Sequence, residues 1–298
     1  MRSFDADLKI KAKSITQNMW VLTDANLAFQ LKDGVLTLDD VSAGLFGGRA
    51  AINGVIKSGA AAKDPLSLSA KLTANNVDAQ RLASAAMGKM SHVLTGTLSS
   101  VDVSVNATGA SPAALVQTLG GKGAMSGKNI IVQGIDAAQL ADAAKGSYKP
   151  MDRAGSLFKS FQNGSTEFTD FNADFGIQNG VVNFSRIAFD GPKAALTTTG
   201  NVNLPSWTVD LKNTMTVKNT DIPAFEFTLR GPLDNPMNSG DDVINSYLQK
   251  KLEAKAIVQD GPLVLSLSAI NKQMGWAADA RPGHANPAAM FNRSHEIA

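Results

Sequence analysis

Apolar side chains fall on every second position through much of the chain. In the stretch "PSWTVDLK", Trp207, Val209 and Leu211 alternate with polar residues. Successive side chains of a β-strand point to opposite faces, so this period predicts a strand with one apolar and one polar face. The same period recurs over residues 171–177 and 225–229. The pattern therefore predicts many strands that share one apolar face.

Short turn signals separate these strands. Asn179-Gly180 is the strongest hairpin signal, Asp190-Gly191 is a second, and Lys32-Asp33-Gly34 is a third. Gly47 and Gly48 interrupt an alternating stretch and predict a bulge or a close approach of the backbone. Residues 165–231 alone are predicted to hold about five strands. Short turns between strands favour an antiparallel meander.

Short helices are predicted to interrupt the meander and to plug a sheet end or cover an edge. Three of them begin after the capping residues Asp78, Ser111 and Asp136. Gly120-Gly121 and Gly146 are expected to end the second and third helices. A fourth capped helix is predicted from Ser239 onward, with acidic residues at its start and lysines at its end.

The predicted fold class is mainly β with a few short helices. We expect a long, twisted, antiparallel meander sheet, groove-like or half-barrel-like and flanked by helices. This β-rich region is predicted to occupy residues 1–258, with a division into two sub-units of about 1–110 and 111–258 as an alternative. Residues 259–298 lose the period and are predicted to form a poorly ordered tail.

Composition and charge argue against several classes of partner. Charged residues make up 18% of the chain, net charge is +2, and no basic stripe is visible in the sequence. Nucleic-acid binding depends on many lysine or arginine contacts to phosphate, so we expect no nucleic-acid partner. The chain has no cysteine. Disulfides, cysteine-ligated zinc and thiol nucleophiles are therefore excluded.

Residue patterns for catalysis or cofactor binding are missing. His92, His284 and His295 are not spaced as metal ligands, so neither a metal nor another cofactor is expected. The glycine-rich residues 120–129 fit neither the phosphate-loop pattern nor the dinucleotide fingerprint. No GxSxG motif is present. We therefore expect no catalytic residues and no enzymatic activity; a hydrolase would need a polar cleft with convergent carboxylates, which the sequence does not show.

The start of the chain carries no membrane segment. No run of about 18 apolar residues is present, and charges interrupt the first residues, so neither a transmembrane helix nor a signal peptide is predicted. The chain opens in an alternating pattern. We therefore expect the natural beginning of the protein to lie upstream.

Four segments resemble the C-terminal region of AsmA-family proteins of Gram-negative bacteria. They occur in the family's order over roughly residues 20–255: "LKDGVLTLDDVSAGLFGGRAAINGVI" (31–56), "SGKNIIVQGIDAAQLADAA" (126–144), "TEFTDFNADFGIQNGVVNFSRIAFDGPKAALTTTGNVNLPSWTVDLK" (166–212) and "IPAFEFTLRGPLDNPMNSGDD" (222–242).

The resemblance implies a periplasmic protein tied to outer-membrane assembly and lipid homeostasis. It is related to bridge-like lipid carriers, in which a long curved sheet forms an apolar groove. Members are anchored in the inner membrane by one N-terminal helix. This chain lacks that segment, so anchoring is expected only through a part absent from it. The implied partners are phospholipid or another envelope lipid, and envelope proteins.

The candidate site is an apolar sheet face that binds lipid. An apolar patch of more than a few hundred Å² normally marks a binding surface, although the same side chains can also form an ordinary core covered by helices. The candidate lining residues are Phe171, Phe175, Trp207, Val209, Leu211, Phe225, Phe227 and Leu229. The alternative is a periplasmic scaffold for outer-membrane protein assembly without lipid cargo, whose apolar face the alanine-rich helices would close completely.

Overall fold

A computed structural model describes residues 5–59, 64–87, 94–133, 136–145 and 164–239. The chain divides into two units, Met1–Asn245 and Ser246–Ala298, and every described residue belongs to the first. The predicted tail 259–298 and the helix predicted after Ser239 lie outside the described residues.

Thirteen strands form one antiparallel sheet in which each strand pairs with its neighbours in sequence. In chain order they are β1 (Ala6–Gln17), β2 (Trp20–Lys32), β3 (Val35–Leu45), β4 (Gly48–Lys57), β5 (Leu66–Asp78), β6 (Leu94–Gly109), β7 (Gly120–Gln133), β8 (Ser165–Gln178), β9 (Val181–Asp190), β10 (Ala194–Asn203), β11 (Thr208–Val217), β12 (Phe225–Pro232) and β13 (Met237–Asn238). β1 and β13 are the edges, so the sheet is open and does not close into a barrel. The predicted mainly β fold class is confirmed.

Within the described ranges, three short helices leave the sheet between strands. They are α1 (Ala79–Met87), α2 (Pro112–Gln117) and α3 (Ala137–Lys145). α1 follows β5 and packs against β5 and β6, while α3 follows β7 and packs against β8 and β11. Both therefore lie at the same end of the strands, which we call the helix end. α2 lies at the opposite end and contacts β6.

The predicted helix starts are confirmed by their capping hydrogen bonds. The Arg81 amide donates to Asp78 Oδ1 at 2.8 Å, and the Gln139 amide donates to Asp136 Oδ1 at 2.9 Å. The Ala114 amide donates to Ser111 Oγ at 3.2 Å, with Pro112 in the first turn of α2.

The predicted end of α2 was wrong. The helix ends at Gln117 with Thr118 as its C-cap, and Gly120 and Gly121 already belong to β7. The Cβ of any residue replacing Gly121 would lie 2.1 Å from the Ser104 carbonyl oxygen, so this glycine serves strand pairing rather than helix termination. Gly146, the predicted end of α3, lies outside the described part of the chain.

The glycine-marked break at Gly47 is a hairpin turn and not a bulge within one strand. Phe46 and Gly47 have φ angles of 47° and 87°, which fit the two central positions of a tight turn between β3 and β4. The predicted close approach does occur at Gly48, where an added Cβ would lie 2.2 Å from the Asn75 carbonyl oxygen. Backbone near the end of β5 therefore lies close against the start of β4, its neighbour in the sheet.

The Asn179-Gly180 hairpin is confirmed between β8 and β9. Asn179 and Gly180 have φ angles of 51° and 74°. The Gly180 amide donates to the Leu119 carbonyl at 2.8 Å, and the Gly180 carbonyl accepts from the Leu204 amide at 3.0 Å. This turn therefore joins the end of α2 to the turn between β10 and β11.

We expect Gly180→Ala to lower the free energy of unfolding by at least about 1–2 kcal/mol, the cost of a left-handed conformation in a residue with a Cβ. The added Cβ would also lie 2.4 Å from the Val116 carbonyl oxygen and 2.7 Å from Pro205 Cδ. Urea unfolding measures the loss. Gly176→Ala, in the preceding strand β8, is the control, because nothing lies within 4 Å of its Cβ position. Equal stability of the two variants would contradict the close contact.

Candidate functional site

The strand register places the apolar alternation of every strand on one face of the sheet. Two rows of residues, each residue paired with the next across neighbouring strands, run from β1 to β12 and contain only Leu, Ile, Val, Phe, Ala and Gly. The central row consists of Ile10, Leu27, Val41, Ile52, Leu72, Val103, Gly123, Phe175, Phe184, Gly200, Leu211 and Leu229. The outer row, farther from the helix end, consists of Leu8, Phe29, Leu38, Gly54, Ala70, Val105, Gly121, Ile177, Val182, Val202, Val209 and Gly231. We call the two together the open rows.

Exposure separates the open rows from the rest of the apolar face. Of the residues in the open rows only Val209 is buried. Leu8 is 50% exposed, Ile10 39% and Ile52 36%, and the remaining members are half-buried. A continuous apolar surface thus reaches solvent along the width of the sheet.

The same face is closed at the helix end. Phe168 and Met215 are each 1% exposed and belong to one cluster with Ala137 of α3. Val77 and Leu98 are buried in a second cluster with Ala79, the first residue of α1. The core of the fold therefore lies at the helix end, and the open rows lie outside it.

Charged residues occupy the opposite face. Ion pairs there join neighbouring strands, with N–O distances of 2.8 Å for Lys71–Asp102, 2.9 Å for Lys212–Glu226 and 2.8 Å for Arg230–Asp210. Lys218 pairs with Asp190 at 2.6 Å, and Lys128 pairs with Asp170. Hydrogen bonds from Lys128 and then Thr169 lower the pKa of the Asp170 carboxyl below its ordinary value. The exposed charged side chains make this the solvent-facing side of the sheet.

Seven of the eight predicted lining residues lie on the apolar face. Phe175, Leu211 and Leu229 belong to the central row, and Val209 belongs to the outer row. The other three lie nearer the helix end, where Phe171 and Phe227 are buried core residues and Phe225 is half-buried. The predicted set thus contains four residues of the open rows and three that lie nearer the core.

Trp207 is the exception, because β11 begins one residue later than the alternation predicts. Trp207 has a φ of 53°, and its amide donates to the Leu204 carbonyl at 3.4 Å. Pro205 and Ser206 require a turn that Trp207 completes. Its side chain is 43% exposed and belongs to no strand.

The sequence interpretation did not select the part of the open rows on β1 to β5. Their side chains are mostly aliphatic, whereas the predicted set favoured aromatic residues in the second half of the chain. The alternation of apolar and polar residues over 8–10, 27–31 and 66–72 is the sequence pattern that could have identified them. Only the pairing register shows that these strands continue the same rows.

Phe175 shows how the central row stays continuous across a glycine. A Cβ at Gly123 would lie 2.4 Å from Cζ of the Phe175 ring, so the ring lies directly over the backbone of β7. The ring also contacts Phe184, with centroids 5.6 Å apart. An aromatic ring over a strand glycine covers backbone that would otherwise face the open rows.

The buried polar side chains have structural partners. Thr198 Oγ1 donates to Asn213 Oδ1 at 2.6 Å, and Asn213 Nδ2 donates to the Phe227 carbonyl at 3.4 Å. Thr166 Oγ1 accepts from the Ala137 amide at 3.1 Å and so fixes the start of α3. Within the described ranges, no group of three or more His, Asp or Glu side chains is arranged to hold a metal ion. No described helix combines the length and hydropathy needed to cross a bilayer.

The fold and the face define a class of protein: an open antiparallel sheet with one apolar and one polar surface. The family model of the AsmA family matches residues 1–187, from the start of the chain into β9. The chain therefore belongs to the AsmA family. No curated protein matches it, and no solved structure does. The segment 222–242, which also resembles the family, lies beyond the matched range.

The family is associated with assembly of the envelope and outer membrane and with lipid transport, and it is not known as enzymatic.

Proposed function

We propose that this chain binds the acyl chains of envelope lipids along the open rows, without catalysis, and so supports outer-membrane assembly and lipid homeostasis. One observation carries the proposal: two rows of apolar side chains cross twelve strands without a polar side chain and stay partly exposed. An apolar surface of this extent is costly in water unless a ligand covers it. Lipid is the ligand whose chemistry matches it.

The dimensions of the open rows suit a hydrocarbon chain. Neighbouring strands lie about 4.8 Å apart, so a row crossing twelve strands spans roughly 50 Å. Burial of each CH₂ group contributes about 0.8 kcal/mol. Acyl chains can therefore be held by many weak contacts, without a specific polar group. The absence of polar side chains from the open rows fits such a ligand.

The scaffold alternative receives less support. A scaffold without lipid cargo was expected to have its apolar face closed throughout by the alanine-rich helices. α1 and α3 cover the face at the helix end, whereas Ile10 and Ile52 in the central row remain exposed. Envelope proteins remain proposed partners in addition to lipid.

Family membership supports a location in the cell envelope. We place the chain in the periplasm, attached to the inner membrane. The lipid partner is phospholipid or another envelope lipid.

Photo-crosslinking tests the proposal directly. With benzoylphenylalanine at Leu72, in the central row, we expect covalent attachment of phospholipid from the envelope, detected by mass spectrometry of the purified protein. The same probe at Thr73 is the matched control. Thr73 is the next residue, is also half-buried, and points to the polar face. No lipid adduct at Leu72, or equal adducts at both positions, would refute binding on the open rows.

A further inference from the structure

The β1–β2 hairpin concentrates the exposed apolar side chains of the sheet. Among the described residues, eight large apolar side chains are exposed, and five of them are Leu8, Ile10, Met19, Trp20 and Val21. Leu8 and Ile10 belong to the open rows. Met19, Trp20 and Val21 form the tip of the hairpin, at the helix end of the strands, and lie outside the open rows. The proposed lipid binding therefore does not explain them.

The hairpin tip is apolar on both faces of the sheet. Asp24 has a φ of 45° and the β2–β3 register shifts between Thr23 and Asn26, so the alternation of β2 changes phase there. Leu22 therefore packs on the buried cluster of the apolar face and Trp20 shares that face, whereas Val21 lies on the opposite one. Met19 lies in the turn between β1 and β2 and is 53% exposed. The Trp20 ring packs on Phe46 with centroids 5.6 Å apart, so it is held in place while remaining 38% exposed. A sheet with a single apolar face does not account for exposed apolar side chains at Val21 and Met19.

A row of lysines follows the tip along the edge strand. Lys9, Lys11 and Lys13 alternate with apolar residues and so share the polar face of β1. Lys9 lies opposite Ala28 and Lys11 opposite Asn26. The acidic residues Asp5 and Asp7 lie farther from the tip than the lysines do.

None of the three lysines forms an ion pair with a described residue. Asp40, the nearest acid on β3, accepts a hydrogen bond from Asn26 Nδ2 at 2.6 Å. Asp24 is level with Lys13 in the register but forms no ion pair with it. The five ion pairs of the described sheet all lie on β5 and later strands. The positive charge of β1 is therefore available to an external anion.

Edge-to-edge pairing with a second copy would not use these features. Antiparallel pairing of β1 with another β1 would bring lysines of one strand near lysines of the other, and like charges across a strand pair are destabilising. Lysines on an edge strand normally prevent such pairing. Protection of the edge would explain the lysines, but it would leave the apolar tip unexplained.

We propose that the β1–β2 hairpin docks on a bilayer surface that contains anionic lipids. Met19 and Val21 enter the boundary between headgroups and acyl chains, Trp20 lies at the headgroup level, and Lys13 and Lys11 attract the lipid phosphates. Lys13 is four residues from Gln17, which is about 13 Å along the strand. This exceeds the screening length of about 8–10 Å at physiological salt, so Lys13 acts on the surface by extending its long side chain toward the tip, and Lys11, farther from the tip, contributes less. This docking is independent of lipid held on the open rows.

Vesicle co-sedimentation tests the docking with phosphatidylcholine vesicles that contain or lack phosphatidylglycerol. We expect the wild-type chain to sediment with the anionic vesicles and at least tenfold more weakly with the neutral ones. The triple variant Lys9→Gln, Lys11→Gln, Lys13→Gln should lose at least tenfold in affinity for anionic vesicles. The double variant Met19→Ser, Val21→Thr should lose binding to them as well, and circular dichroism checks that both variants fold.

A matched charge control decides whether position matters. Lys57, Lys122 and Lys193 form no ion pairs among the described residues and lie away from β1, so their replacement by Gln removes the same charge. We expect this control to bind anionic vesicles within about twofold of wild type. Equal losses in the two lysine variants would overturn the proposal. So would full binding by the double tip variant, or wild-type binding that does not depend on phosphatidylglycerol.

Discussion

The variant Ile52→Asp is expected to carry at least tenfold less phospholipid than the wild-type protein after delipidation and incubation with labelled lipid. Ile52 lies in the central row, paired with Val41 and Leu72. A carboxylate at this position would lose hydration when an acyl chain covers it, and an unpaired buried charge costs several kcal/mol. A cost of about 1.4 kcal/mol is already a tenfold change in affinity.

Asn53→Asp is the control for Ile52→Asp. It adds the same charge one residue later, on the polar face, where the side chain is exposed. We expect it to retain wild-type lipid. Because Ile52 is 36% exposed in the free protein, Ile52→Asp should cost only about 1–2 kcal/mol of stability and leave the protein folded, which circular dichroism checks. Equal lipid content in the two variants would rule out the open rows as the binding surface.

The variant Phe168→Ala is expected to lower the free energy of unfolding by about 3–5 kcal/mol, the usual cost of removing a fully buried phenylalanine. Phe168 is 1% exposed and packs with Ala194, Leu196 and Met215 beneath α3. Its ring also contacts Phe189, with centroids 5.4 Å apart. Denaturant unfolding followed by circular dichroism measures the change.

Phe184→Ala gives the matched comparison for Phe168→Ala. Phe184 is a half-buried member of the central row, so its removal should cost only about 1–2 kcal/mol, in proportion to the smaller area it buries. The same variant should reduce lipid binding, which Phe168→Ala would affect only through unfolding. If both substitutions cost the same stability, the division between a core at the helix end and open rows beyond it is wrong.

This division explains how one apolar face can serve two purposes. The helix end buries Val77, Ile130, Phe168, Met215 and Val217 almost completely and supplies the packing that holds the sheet. The open rows contribute less to stability because they bury less area. They are free to exchange water for a ligand.

Local sequence was sufficient wherever the determining interactions lie within a few residues. Asn179-Gly180 fixed a turn because these two residues adopt positive φ at low cost. Asp78, Ser111 and Asp136 fixed the helix starts because each side chain accepts from an amide three residues later. The alternation predicted a one-sided sheet because side chains of a strand point to opposite faces.

Tertiary structure decided which apolar residues form the core and which form the site. Phe171 and Phe175 belong to the same alternating stretch, yet Phe171 is buried at the helix end and Phe175 lies in the central row. Alternation cannot distinguish the two residues, because α1 and α3 bury the side chains at the helix end, and these helices are distant in sequence from many of the side chains that they bury. Trp207 lies outside the predicted strand because it completes the Leu204–Trp207 turn, with a positive φ and an amide that donates to the Leu204 carbonyl.

The sequence by itself thus determined the strands, their turns, the helix starts and the existence of an apolar face, all of which depend on local geometry. The open rows arise only from the register that aligns twelve strands, and the closed core arises only from the packing of helices at one end. Both depend on contacts between residues far apart in the chain, which periodicity and turn chemistry do not encode.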